Sequence, residues 1–101
     1  MKFKFGDIIL AEVQFTDTFE IKTRPVLVLF EGMGNIIVMG ITSNIKMKGV
    51  SITKKEGMPK ESIIKINYIF TISEKMVKRF LFHLSTGKKD KIKREIVNRI
   101  Q

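Results

Sequence analysis

Residues 22–44, KTRPVLVLFEGMGNIIVMGITSN, hold two apolar runs, Val26–Phe30 and Ile36–Thr42, on either side of the glycine-bearing break EGMGN. Both runs are rich in β-branched residues, and the glycines supply the positive φ angles of a tight turn, so residues 26–42 are predicted to form a β-hairpin. The hairpin sets the position of polar residues at its open end. Counted from Met33, Arg24 lies nine residues before and Thr42 nine residues after. Antiparallel pairing then brings a guanidinium at the threshold of the second strand beside a hydroxyl at the end of the third.

Outward from the hairpin the same composition recurs. Ile8–Val13, Val50–Thr53, Ser62–Ile66, Tyr68–Ile72 and the segment KRFLFHL read as further strands, and KKEGMPKE, with Gly57 and Pro59, as a loop. Alternation in FLFHL puts Phe80, Phe82 and Leu84 on one face and Leu81 with His83 on the other. SEKMV is predicted to form a single helical turn capped by Ser73. In the tail, TGKKDKIKREIVNRI, residues Ile92, Ile96, Val97 and Ile100 fall on one face of a basic amphipathic helix, with Thr86 as its cap and Asp90 in its first turn. Five to seven short strands followed by one helix define a mainly β chain, a small and strongly bent barrel or sandwich, expected as a single domain over residues 1–101.

Composition bounds the function. Hydrophobic residues make up 44% of the 101-residue chain and charged residues 29%, ordinary values for a globular protein. The absence of cysteine excludes disulfides, thiolate metal sites and cysteine nucleophiles. No signal-peptide core is seen near the start, and no apolar run reaches the roughly 18 residues of a membrane span, so a cytoplasmic location is expected. The formal charge is +9, with nine basic and three acidic residues between 74 and 101. Such an excess fits a polyanionic partner, foremost nucleic acid, and also a lysine-rich surface kept for solubility.

The phosphate-loop, dinucleotide, zincin and nucleophile-elbow motifs are all missing. The single histidine, His83, is read as structural or surface-exposed, and one histidine without cysteine does not make a zinc site; no metal and no cofactor is expected. Asp17 and Glu20, in the loop before Arg24, are the candidate acid–base groups, and are also ordinary residues for a solvated turn. Arg24 with Thr42, Ser43 and Asn44 suits phosphate: the guanidinium donates a planar fork, and hydroxyls and an amide add further bonds. An exposed strand-end arginine beside capping hydroxyls is the structural alternative.

Taken in order, GDIILAEVQFTD, KTRPVLVL, IIVMGITSN and GMPKESIIKINYIFTISEKMVKRFLFHLS resemble the PemK/MazF toxins over nearly the whole chain. The resemblance implies an SH3-like barrel with a C-terminal helix, a homodimer, and a groove for single-stranded RNA such as mRNA. It further implies metal-independent, sequence-selective endoribonuclease activity that leaves a 2′,3′-cyclic phosphate and a 5′-hydroxyl, and an acidic antitoxin as partner. Arg24 of the RP motif and Thr42 of ITS carry over as catalytic residues, Gly6 and Asp7 match the GD signature, and Ser62 matches a serine frequent at that strand. Lys22, Thr23, Ser43, Asn44, Phe15, Phe19, Asp17 and Glu20 are the expected RNA-binding residues, Phe15 and Phe19 by stacking on bases. The loop FTDTFEIKT departs from the family's glycine-rich form, and Phe82–His83 stands where many members have glycine before the final leucine. The alternatives are a gyrase-poisoning toxin on the same barrel and a non-catalytic nucleic-acid-binding barrel.

Overall fold

The computed structural model describes residues 2–14 and 20–101. Among these, six strands form one antiparallel sheet: β1 (Asp7–Gln14), β2 (Ile21–Gly32), β3 (Asn35–Thr42), β4 (Val50–Ile52), β5 (Ser62–Ser73) and β6 (Val77–His83). Their order across the sheet is β4-β5-β3-β2-β1-β6, and a C-terminal helix α1 (Thr86–Ile100) follows the last strand. The sheet curls into a half-barrel, as the succession of short strands and one helix predicts.

Side-chain alternation gives the sheet two apolar faces. On β1, β2 and β3 neighbouring residues enter two different apolar clusters, one on each face of the sheet. Ile8, Leu27, Met39, Ile41, Ile64 and the helix residue Ile92 make one cluster. Ile9, Ala11, Val26, Val28, Val38 and Ile72 make the other. The helix covers the first cluster, and its other anchor there is the partly buried Ile96. Val97 and Ile100, expected on the same buried face, are 45% and 77% exposed. Ile92 sits over the sheet, and the helix end runs past it.

The 26–42 hairpin forms, with Gly32 opposite Asn35 across a two-residue turn at Met33–Gly34, both with positive φ. A turn centred between these two residues would set Arg24 against Ser43. A bulge at Leu29 removes that offset, since Val28 pairs with Val38 but Phe30 with Ile37. Continuing the Val26–Gly40 register sets Arg24 level with Thr42. The sequence count reached this pairing from a turn centred on Met33; in the structure a two-residue turn and one bulge produce it together.

Other boundaries differ from expectation. β2 begins at Ile21, so Arg24 lies within the strand, opposite Ala11 of β1, and not at its threshold. β2 tolerates Pro25 because its ladder with β3 starts only at Val26, which leaves a single neighbouring strand to miss the absent N–H. The two segments 62–66 and 68–72 are one long strand, β5, bent within its length. Thr53 lies past β4 and precedes a 3₁₀ turn at Lys54–Glu56, where the Glu56 carboxylate accepts from its N–H and hydroxyl at 3.1 and 3.2 Å. Ser73 caps the predicted turn at Glu74–Met76. Helix α1 is capped by Ser85 and not Thr86, with the Ser85 hydroxyl accepting from Lys88 N–H at 3.2 Å, and Asp90 falls beyond its first turn. In β6, Ile8 pairs with Phe82 and Ile9 with Phe80, so Leu81 is bulged. Leu81 and Phe82 therefore both contact the helix-side cluster, and strict alternation fails.

Candidate functional site

Past Val26–Gly40 the partners of β2 and β3 part: β2 remains on β1, while β3 carries Thr42 opposite Ile63 of β5. A groove of about 520 Å³ opens here, lined by residues of both apolar clusters and by none of the helix. Thr23, Arg24, Thr42 and Ser43 line it, together with Lys60 and Lys65. Its floor is apolar, continuing the second cluster through Val13, Val26 and Phe70.

Local bonding prepares these groups. The Thr42 hydroxyl accepts from Asn44 N–H at 3.1 Å, and the Asn44 side-chain oxygen accepts from Lys46 N–H at 3.1 Å, two side-chain turns that hold the chain as it leaves β3. Used in this way as an acceptor, the Thr42 hydroxyl keeps its own proton for donation. The Arg24 guanidinium is exposed, lines the groove and donates through Nη1 to the Thr23 carbonyl at 3.0 Å. Lys22 lies 3.4 Å from Glu20 in an exposed ion pair. Neither Lys22, Glu20 nor Asn44 lines the groove itself, although each adjoins a residue or strand that does. The expectations placed on Phe15, Asp17 and Phe19 fall outside the described residues.

Lys60 and Lys65 went unrecognised in the sequence because they stand in segments read as loop and plain strand. The only available signal was their charge: among the described lining residues three are cations and none is a carboxylate or histidine. The groove can therefore hold an anion through charge and several donors, but that lining alone contains no proton acceptor of the usual kind.

The GD signature and His83 lie away from this groove. Asp7, buried, accepts from Lys4 N–H at 3.0 Å and contacts His83 Nδ1 at 2.7 Å, while Lys89 Nζ of the helix lies 2.9 Å from His83 Nε2. Gly6 has a φ of +100°, and a Cβ there would stand 2.9 Å from the imidazole, so glycine is needed for both conformation and space. These residues tie β1, β6 and α1 together, a structural role for His83. Ser62 is buried and donates to the Lys60 carbonyl at 2.9 Å, fixing the entry to β5.

Fold and groove define a class: a small curled β half-barrel with a cleft in which Arg24, Lys60 and Lys65 are the cations and, among the described residues, no carboxylate takes part. Residues 4–99 match the family model described as the PemK-like, MazF-like toxin of type II toxin–antitoxin systems, and the chain belongs to that family. Among solved structures it is similar to the Mycobacterium tuberculosis toxin MazF-mt6, with a TM-score of 0.74 and 22% identity over 91% of this chain and 93% of the other. It is likewise similar to an endoribonuclease in complex with its cognate antitoxin from a mycobacterial species, with a TM-score of 0.74 and 10% identity over 97% and 93%. At such identities these two likenesses speak to the fold. No curated protein is significantly similar to the chain. Among the described residues, no helix is long and apolar enough to cross a membrane, and no group of three or more potential ligands from His, Cys, Asp and Glu is assembled for a metal.

Proposed function

We propose that this chain is the toxin of a type II toxin–antitoxin pair and acts as a metal-independent, sequence-selective endoribonuclease on single-stranded RNA. The observation that carries the reading is the meeting of Arg24 and Thr42 in one cation-lined groove, and membership of the family supports it. In the reaction the RNA's own 2′-hydroxyl attacks the adjacent phosphorus. The new 2′-O–P bond forms as the P–O5′ bond breaks, one proton leaves the 2′-hydroxyl and one reaches O5′, giving a 2′,3′-cyclic phosphate and a 5′-hydroxyl. Arg24 stabilises the charge that builds on the phosphorane, and its N–H groups are donors for the leaving oxygen. Thr42 donates to a phosphate oxygen or orients the 2′-hydroxyl. The proton acceptor comes from outside the described lining, with Glu20 and Asp17 as its candidates.

A homodimer and an acidic antitoxin that covers the basic groove belong to the same reading; the likeness to an endoribonuclease–antitoxin complex supports the second. The test is incubation of end-labelled RNA with the protein in EDTA, with analysis of fragment ends. Cyclic-phosphate ends are expected from the wild type and a loss of about 10²–10³-fold in rate from Arg24→Ala, the scale of removing one oxyanion donor. RNA left intact, or cut equally by Arg24→Ala, would sink the assignment. In that event a supercoiling assay separates gyrase poisoning from simple salt-sensitive RNA binding.

A further inference from the structure

The largest irregularity in the sheet lies beside the groove. Met39 pairs with Ile69 and Ile41 with Ile64, so Gly40 alone stands opposite residues 65–68. The two ends of this bulge, Lys65 and Tyr68, both line the groove that contains Arg24 and Thr42. Bulges next to functional sites commonly re-aim side chains, and here the effect is to bring an aromatic ring and a cation to the same cleft.

The ring is held in place. A Cβ on Gly40 would stand 2.5 Å from Tyr68 Cδ2, so the ring lies against bare backbone that no other residue could offer. Its centroid is 5.0 Å from that of Phe70, at an interplanar angle of 38°, and Lys65 Nζ is 4.9 Å from it. Tyr68 nonetheless remains 40% exposed. A positioned, partly exposed aromatic ring among cations matches a nucleotide, which brings a π-face and a phosphate together. An acidic peptide would use the cations and leave the ring unmatched.

We infer that Tyr68 and Lys65 form a nucleobase subsite: the Tyr68 ring stacks on the base of a nucleotide adjoining the phosphate held at Arg24 and Thr42, and Lys65 binds that nucleotide's phosphate. Gly40 is a positioning residue for the ring. The inference rests on the groove taking RNA, as proposed above, and deepens that reading.

Tyr68 is the chain's one tyrosine and tryptophan is absent, so intrinsic tyrosine emission reports on this ring alone. The probe is a random-sequence pool of short single-stranded RNA, 2′-O-methylated throughout so that it resists cleavage, with affinity read in parallel from the anisotropy of a labelled copy. Saturable quenching of the emission is expected. Tyr68→Phe should bind within about twofold of wild type and Tyr68→Leu about tenfold more weakly, in line with stacking contributions measured elsewhere. Thermal melts check that both variants fold, and the emission titration needs no variant. Unchanged emission at saturation, equal affinity of Tyr68→Leu, or no binding of the pool overturns the subsite, as does quenching by polyglutamate alone. RNA cleavage without quenching removes the subsite and keeps the nuclease; quenching without cleavage of unmodified RNA does the reverse.

Discussion

Thr42 and Asp7 are both polar residues of family motifs, yet a substitution at each removes something different. The Thr42 hydroxyl serves Asn44 N–H within an exposed turn, so its loss costs little stability, about 1 kcal/mol or less. Thr42→Val should therefore melt close to wild type while cutting RNA at least about tenfold more slowly, and Thr42→Ser should restore most of the rate; steady-state cleavage and thermal melts decide this. Asp7 behaves in the opposite way. Its buried carboxylate joins Lys4 N–H and His83, so Asp7→Ala leaves both without their acceptor and should destabilise by about 2 kcal/mol, lowering Tm on the order of 10 °C. Cleavage per folded molecule should not change, because Asp7 does not line the groove. At this scale the count from Met33 anticipated that Arg24 and Thr42 line one groove, but through a two-residue turn and a bulge that the count did not contain. That Asp7 is buried away from the groove while Thr42 lines it was not legible, because the motif letters carry no information about burial.

Strand and helix spacing was legible wherever apolar periodicity ran unbroken, as in β1, β3 and α1, and failed where a bulge interrupts a strand. A bulge adds residues to one strand without changing composition, so nothing in INYIFT announces that Gly40 faces four residues of β5. Tyr68 and Lys65 escaped notice for that reason. The same geometry makes Gly40 sensitive: in Gly40→Ala the new methyl would stand 2.5 Å from the Tyr68 ring, which must swing away. A stability loss of about 1–3 kcal/mol is expected with an altered tyrosine emission spectrum before any RNA is added; unchanged emission and Tm would show that the ring does not depend on Gly40. In the helix, periodicity identified the apolar stripe but not where the sheet beneath it ends. Ile92 is fully buried and Ile100 is 77% exposed, so Ile92→Ala should cost about 2–4 kcal/mol in denaturant melts and Ile100→Ala under about 0.5 kcal/mol.

Over the whole molecule, part of the charge of +9 gathers in two separate places, the helix and the groove. The lysine- and arginine-rich helix covers one face, and Arg24, Lys60 and Lys65 line a groove to which the helix contributes no residue. Total charge was visible in the composition, but its partition depends on where the helix lies, and only the folded sheet decides that. Two consequences distinguish the two places. Each groove cation that neutralises an RNA phosphate releases a counterion, so replacing one should lower the slope of log K against log salt by about 0.7 for a single strand. Lys60→Gln and Lys65→Gln should each show this reduction in oligonucleotide binding. Lys91→Gln, an exposed helix substitution away from the groove, should leave the slope unchanged. Anisotropy titrations between low and physiological salt make the comparison. Equal slopes for all three variants and the wild type would mean that the groove cations do not meet the RNA backbone, and a drop confined to Lys91→Gln would move the RNA track to the helix face.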